Sequence, residues 1–167
     1  DAIAKQTTES PQHARTRRIN RAYMHAQLGD DAGAAAALDN LPPDIATATV
    51  RAFSARLHGR SNGALISLSA HLPLREQELK VLSPIEQSAF LAELGIAYLE
   101  SGHQEAAKVL AACLDRLDRI QVARSVVSSD CQIGNARLWI EVGRTAEAES
   151  LLNALVLSWA QANPGSV

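Results

Sequence analysis

The chain has 167 residues, of which 47% are hydrophobic, 20% charged and only 4% aromatic, with a formal net charge of −2. That is the size of one domain or a short repeat array, able to bury a core; the charge excludes the basic excess of a general nucleic-acid binder. No apolar run nears the roughly 18 residues that a membrane span requires, and no signal-peptide core stands at the start.

Residues 1–9 are polar and read as a disordered tail, and Asp1 in place of a methionine points to a fragment of a longer protein. Ser10-Pro11 opens a helix over about 11–28, and Asp30 can cap a second over about 31–41. Asp44, behind Pro42-Pro43, opens a third over about 45–58, followed by a fourth over about 63–72. The segment 73–82, beginning Pro73-Leu74-Arg75, is a connector with room for one helical turn. Ser83-Pro84-Ile85-Glu86 combines an N-cap serine, a first-turn proline and a glutamate three residues on, a full capping box for a helix over about 84–100. Helices over about 104–118, 122–141 and 146–162 complete the chain, the last with Thr145 as a candidate cap. The boundary from Arg119 to Val122 carries neither Gly nor Pro. The predicted class is all-α: one domain over 10–163, built of hairpins at about 11–41, 44–72, 84–118 and 122–162. With 30 alanines and few aromatics, its core must come from helices that approach closely.

Gly29, Gly59, Gly102 and Gly143 each lie between two of these helices. Seven residues before them stand Ala22, Ala52, Gly95 and Ala136; five after stand Ala34, Ala64, Ala107 and Ala148. A helix that ends and immediately reverses needs a residue tolerant of positive φ, and facing small residues let the two backbones close up. Larger residues such as Leu38, Leu68 and Leu152 would fill the layer between hairpins. Hairpins of this kind cannot bury their apolar faces alone, so stacking into a solenoid is expected.

Leu94-Gly95-Ile96-Ala97-Tyr98, then Gly102 and Ala107, resembles the tetratricopeptide repeat. The fourth hairpin matches in part, with Ala136, Trp139, Gly143 and Ala148; the first two keep Ala22, Gly29, Ala34 and Ala52, Gly59, Ala64, with His25 and Ala55 at the aromatic position. The spacing near 42, with Val122-Ala123-Arg124-Ser125 leading in, is similar to kinesin-light-chain-type repeats. The resemblance implies a right-handed α-solenoid of about four antiparallel hairpins whose first helices line a concave groove. Carried across by register, that groove holds Ile19, Tyr23, Thr49, Phe53, Arg56, Ala92, Ile96, Leu99, Ile133, Arg137 and Ile140. It is a mostly apolar strip with two arginines, suited to an amphipathic helix or extended peptide. Ile19, Thr49, Ala92 and Ile133 stand where chaperone-binding members of the family carry the first lysine of a carboxylate clamp, which speaks against that activity.

No phosphate loop, nucleophile elbow, His-Glu-x-x-His or paired-cysteine metal motif is present, and no cofactor is implied. His13, His25, His58, His71 and His103 are scattered one per segment and read as ordinary histidines. Two cysteines are too few for a disulfide framework and suggest a reducing compartment. Cys113 reads as a buried thiol, and Cys131 has no base beside it to make it a nucleophile. Arg15, Arg17, Arg18 and Arg21 form the one basic cluster, either a site for phosphates or an acidic partner or, as favoured here, a solvated helix face or a junction with upstream sequence. The expected function is non-enzymatic: a cytoplasmic protein-interaction or sensor module, the C-terminal repeat region of a larger bacterial regulatory protein. Its partner would be another protein, a peptide or a neighbouring domain of its own parent chain, with a membrane excluded and nucleic acid disfavoured. The alternative is a free-standing chaperone of a type III secretion system.

Overall fold

A computed structural model describes residues 10–73, 76–120 and 126–162 of the chain. The expected tail at 1–9 and the start of the helix predicted from 122 lie outside these residues, as does position 163, the expected end of the domain. The described residues form nine helices and no strand: α1 (Pro11–Gln27), α2 (Asp31–Leu38), α3 (Ile45–Leu57), α4 (Ser61–Ser69), α5 (Glu76–Lys80), α6 (Pro84–Glu100), α7 (Ala106–Ile120), α8 (Val126–Glu141) and α9 (Thr145–Ala162). The helical turn allowed for in the connector is α5, which delivers Leu79 to the main core.

Local chemistry sets the helix starts. Ser10, Asp30 and Asp44 accept hydrogen bonds from the backbone N–H groups of His13, Gly33 and Thr47. Ser83 and Glu86 form the reciprocal capping box, the Glu86 carboxylate accepting from Ser83 N–H at 2.9 Å. Thr145 is the first residue of α9 and not the residue before it.

The helix ends follow one pattern four times. Gly29, Gly59, Gly102 and Gly143 all have positive φ, between 67° and 79°. Each glycine N–H donates three residues back, to Ala26, Arg56, Leu99 and Ile140. The next N–H donates five residues back, from Asp30 to His25, Arg60 to Ala55, His103 to Tyr98 and Arg144 to Trp139. These two crossed bonds satisfy carbonyls that a terminating helix otherwise leaves open, and they turn the chain in two residues.

Helices α1/α2, α3/α4, α6/α7 and α8/α9 pack together as pairs. Each first helix also packs on the next (α1 on α3, α3 on α6, α6 on α8), and α2, α4 and α7 touch the first helix that follows them. The small residues Ala22, Ala52 and Ala136 are fully buried at the pair interfaces. Gly95 is glycine for a steric reason: a Cβ there would meet Leu110 Cδ2 at 2.6 Å. Leu110 is wedged equally tightly against Gly134 of α8, so one leucine sets the spacing of α6, α7 and α8.

On the second helices Ala34, Ala64 and Ala148 are buried as expected, but Ala107 is exposed and Ala106 takes its place. Helix α7 begins four residues after Gly102, against two after each of the other turn glycines, and the Ala106 N–H donates three residues back to His103. Leu110 stands one place nearer its glycine than Leu38 and Leu68 stand to theirs, and all three are buried.

Cys113 of α7 and Cys131 of α8 are both fully buried and form a disulfide, with Cα atoms 5.9 Å apart. The expectation of two separate thiols is corrected: α8 packs on α7 so that the two β-carbons face each other across a separation of 18 residues. The pairing also withdraws the cysteine count as support for a reducing compartment.

Two outcomes follow from these features. No heavy atom lies within 4 Å of where a Cβ on Gly102 or Gly143 would stand, so substitution there strains the backbone alone. Gly102→Ala and Gly143→Ala should each cost about 1–2 kcal/mol in chemical denaturation, and unchanged midpoints would refute the left-handed turns. Reducing the disulfide should lower stability by about 3 kcal/mol. Denaturation with and without dithiothreitol measures this, and coincident curves would mean that the two sulfurs are not joined.

Candidate functional site

The residues expected to line a groove divide sharply by burial. Ile19, Thr49, Phe53, Ala92 and Ile96 are enclosed, because adjacent first helices pack directly on one another. Phe53 meets Tyr23 edge to face at 5.2 Å between ring centres and, with Tyr23, Ala26 and Ala34, ties α3 to the first pair. Ile96 lies against the backbone of α8 at Gly134. These side chains are corrected from groove lining to packing between hairpins. Leu99 is half-buried against the core. Accessible apolar surface remains on α8, where Ile133 is 40% and Ile140 52% exposed, with Arg137 between them.

The two groove arginines are held by partners that the sequence alone did not suggest. Arg56 of α3 forks onto Glu93 of α6, Nε to Oε2 at 2.9 Å and Nη2 to Oε1 at 2.8 Å, and its Nη2 also reaches Asp130 of α8 at 3.1 Å. The guanidinium lies 5.2 Å from the centre of the Phe53 ring. Arg137 of α8 donates to Glu100 of α6 at 2.9 Å. A signal for these pairs was present: Arg56 to Glu93 and Glu100 to Arg137 are both 37 residues apart, and Asp130 follows Glu93 by the same interval.

Two carboxylates share one arginine in a buried setting, which controls the electrostatics. Burial pushes Glu93 up to about 7, with Arg56 opposing the rise. Asp130 is raised as well, again by burial against the pull of Arg56. Tyr23 is raised first by burial and then by the charges of Glu93 and Asp130. Burial works against the charge on Arg56, but its bonds to Glu93 and Asp130 hold it protonated. Burial also opposes the Glu100 carboxylate, which hydrogen bonds from Ser61 and Arg137 nevertheless keep below its ordinary value. Arg56 is largely covered by its partners, whereas Arg137 keeps 45% of its side chain exposed. Their joint effect is to lock α3, α6 and α8 in register.

Two members of the basic cluster on α1 also serve the fold. Arg15 reaches Asp44, the cap of α3, at 2.5 Å and Glu86 at 3.8 Å. Arg18 donates to the Ala37 carbonyl at 3.0 Å and to the Asp39 carbonyl, closing the C-terminal end of α2 with a positive charge. His25 pairs with Asp30 at 2.8 Å. Among the described residues no group of three His, Cys, Asp or Glu side chains is placed to hold a metal ion, and no helix is long and apolar enough to cross a membrane. Comparison with protein-family models, with curated proteins and with solved structures found no match to the chain.

The triad gives a pH-dependent outcome. The raised value of Glu93 means that the native state holds a proton which the unfolded chain releases near its ordinary 4.5. The stability this provides is fully present below about 4.5 and is lost as pH rises through about 7. Arg56→Met should cost about 3–5 kcal/mol at pH 8, where both carboxylates lose their counter-charge, and less at pH 5, where protonation relieves them. Denaturation at the two pH values measures the difference. A loss of the same size at both would mean that Arg56 acts through packing alone.

Proposed function

We propose that the four hairpins stack as a right-handed solenoid of the tetratricopeptide type, and that the chain is a protein-interaction module without catalytic chemistry. The stacking pattern supports the first part: extensive contacts among the described helices run only within a pair or between pairs adjacent in the chain, the quasi-linear pattern of a repeat array. One observation carries the second part. On α8, Ile133 and Ile140 flank Arg137 at helical spacing on one exposed face, while the equivalent side chains of α6 are covered by α8 itself. The surface that one helix of this chain already covers on the third hairpin is therefore presented uncovered on the fourth, which suits a partner's amphipathic helix or peptide. The role in a larger regulatory protein belongs to the same proposal.

Ile133→Asp/Ile140→Asp should reduce partner recovery in a quantitative pull-down from the source cell by about thirtyfold, the effect of losing roughly 2 kcal/mol of anchor contact. The denaturation midpoint should stay close to that of wild type. Phe53→Ala and Ile96→Ala should instead lower stability by about 3 kcal/mol, as buried side chains do. Equal recovery by wild type and the folded Ile133/Ile140 variant would reject the groove on α8.

A further inference from the structure

The last pair of described helices leaves uncovered a face that every earlier pair has covered. Leu38, Leu68 and Leu110, each eight or nine residues after its turn glycine, are buried. The first helix that follows packs on each: α3 on α2, α6 on α4 and α8 on α7. Their counterpart Leu152 of α9 is only half-buried, and no described helix packs on α9 as those three pack on α2, α4 and α7. The likeness runs on down the helix. Leu110, Cys113, Leu114 and Leu117 of α7 stand forty-two residues before Leu152, Leu155, Val156 and Trp159. On α7 that stripe is closed by α8, Cys113 through its bond to Cys131. On α9 Val156 is 65% and Trp159 50% exposed, although the Trp159 indole N–H donates to the Ser129 hydroxyl. Leu110 and Ile96 both abut Gly134 of α8, so α6 and α7 offer α8 a single surface. By the same construction Ile133 and Ile140 of α8 join Leu152 and Val156 of α9 in one apolar face.

The charge pattern and the size of this face identify its occupant. From Leu151 to Ala162 α9 carries no charged residue. A twofold contact brings each residue close to its own copy, so a charge on the seam would repel itself, and an uncharged seam suits that symmetry. On the α8 side Arg137 is balanced by Glu100. Stacking head to tail is disfavoured by the other end of the series. The α3 residues packed with Leu38 are Ala46 and Val50, and thirty residues earlier α1 carries Thr16 and Asn20, both exposed. Those polar groups would lie unpaired against the leucine stripe of α9. The area is also sufficient. Eighteen residues make α9 about 27 Å long. Two such helices side by side present about 500 Å² per copy, which brings a symmetric pair to the roughly 1,000 Å² of a specific interface.

We propose that two copies of this chain pair about a twofold axis, α8/α9 face on α8/α9 face, with Ile133, Ile140, Leu152 and Val156 forming the shared apolar seam. This pairing rests on α8 being a binding surface and names what covers it. Each copy supplies the apolar helices that the other lacks.

Sedimentation equilibrium of the full chain between about 1 and 200 μM, a range set by the affinity of an interface this small, measures the association. The mass should rise from 17.8 kDa to twice that value and no further. Val156→Asp and, separately, Ile140→Asp should each weaken the pairing at least tenfold, with the helical circular dichroism of wild type retained. Leu157→Asp, on the opposite side of α9 from the seam, and Leu28→Asp on α1 should leave it unchanged. Equal association by the folded Val156 or Ile140 variant overturns the proposal. Growth beyond two copies, or loss of association in Leu28→Asp, would identify head-to-tail stacking and also overturns it. A chain that stays monomeric throughout overturns the pairing as well; if its pull-down still depended on Ile133 and Ile140, the α8 surface would belong to a different protein.

Discussion

A helix that stops on a left-handed glycine must reverse within two residues, and the rest of this molecule depends on that constraint being met four times. The crossed hydrogen bonds around Gly29, Gly59, Gly102 and Gly143 fix where each second helix begins and which face of it meets the first. The same geometry places the residue four before the glycine beside the residue one after it, and the hairpins exploit that proximity with different chemistry. His25 bonds Asp30, Tyr98 stacks on His103 with ring centres 4.2 Å apart, and Arg144 lies 4.9 Å over Trp139. One backbone device is thus reinforced by a hydrogen bond, a stacking and a cation–π contact.

Lateral order comes from a different source. Alanine and glycine let helices approach but give little resistance to sliding, since small side chains interlock weakly. Leu110, lodged where Gly95 and Gly134 have no side chain, supplies one steric stop. The Arg56–Glu93–Asp130 triad supplies a directional one, because a forked guanidinium accepts its carboxylates only in one register. Such a buried group is a poor source of net stability, and replacing all of it with apolar side chains would be close to neutral. Its contribution is to make any alternative register leave a charge uncompensated. The disulfide adds a third tie at the junction of α7 and α8, where no glycine or proline punctuates the sequence.

How much of this was visible in the sequence follows from the range of each interaction. Caps and turn glycines act over five residues, and apart from Thr145 they stand where the residue pattern placed them. The small-residue register failed at one point, Ala107, and there the sequence matched the repeat pattern best. The later start of α7 after Gly102 goes with a buried position at Ala106, and in a run of two alanines nothing local distinguishes them. Longer-range features were harder to see. Phe53 and Ile96 share a register with residues that would line a groove, but whether such a position is open depends on how closely the next first helix approaches, and here alanine and glycine bring it into contact. The partners of Arg56 and Arg137 were readable only as a repeated interval of 37, which does not coincide with the spacing of the glycines. Cys113 and Cys131 looked unrelated because their pairing is decided by the packing of α8 on α7.

The same close packing determines where a partner can bind. A first helix with neighbours on both sides has its own second helix on one face and other first helices on two more, and its side chains there are consumed by the fold, as Ile19, Phe53 and Ile96 are. Charges on those faces are likewise matched internally, as Arg56 is by Glu93. Large exposed side chains of one chemical character can then accumulate only on faces no described helix covers. More than one such face is present. On α8 Ile133 and Ile140 flank Arg137, and on α9 Val156, Leu157 and Trp159 stand exposed, each on a helix at the end of the packed series of described helices.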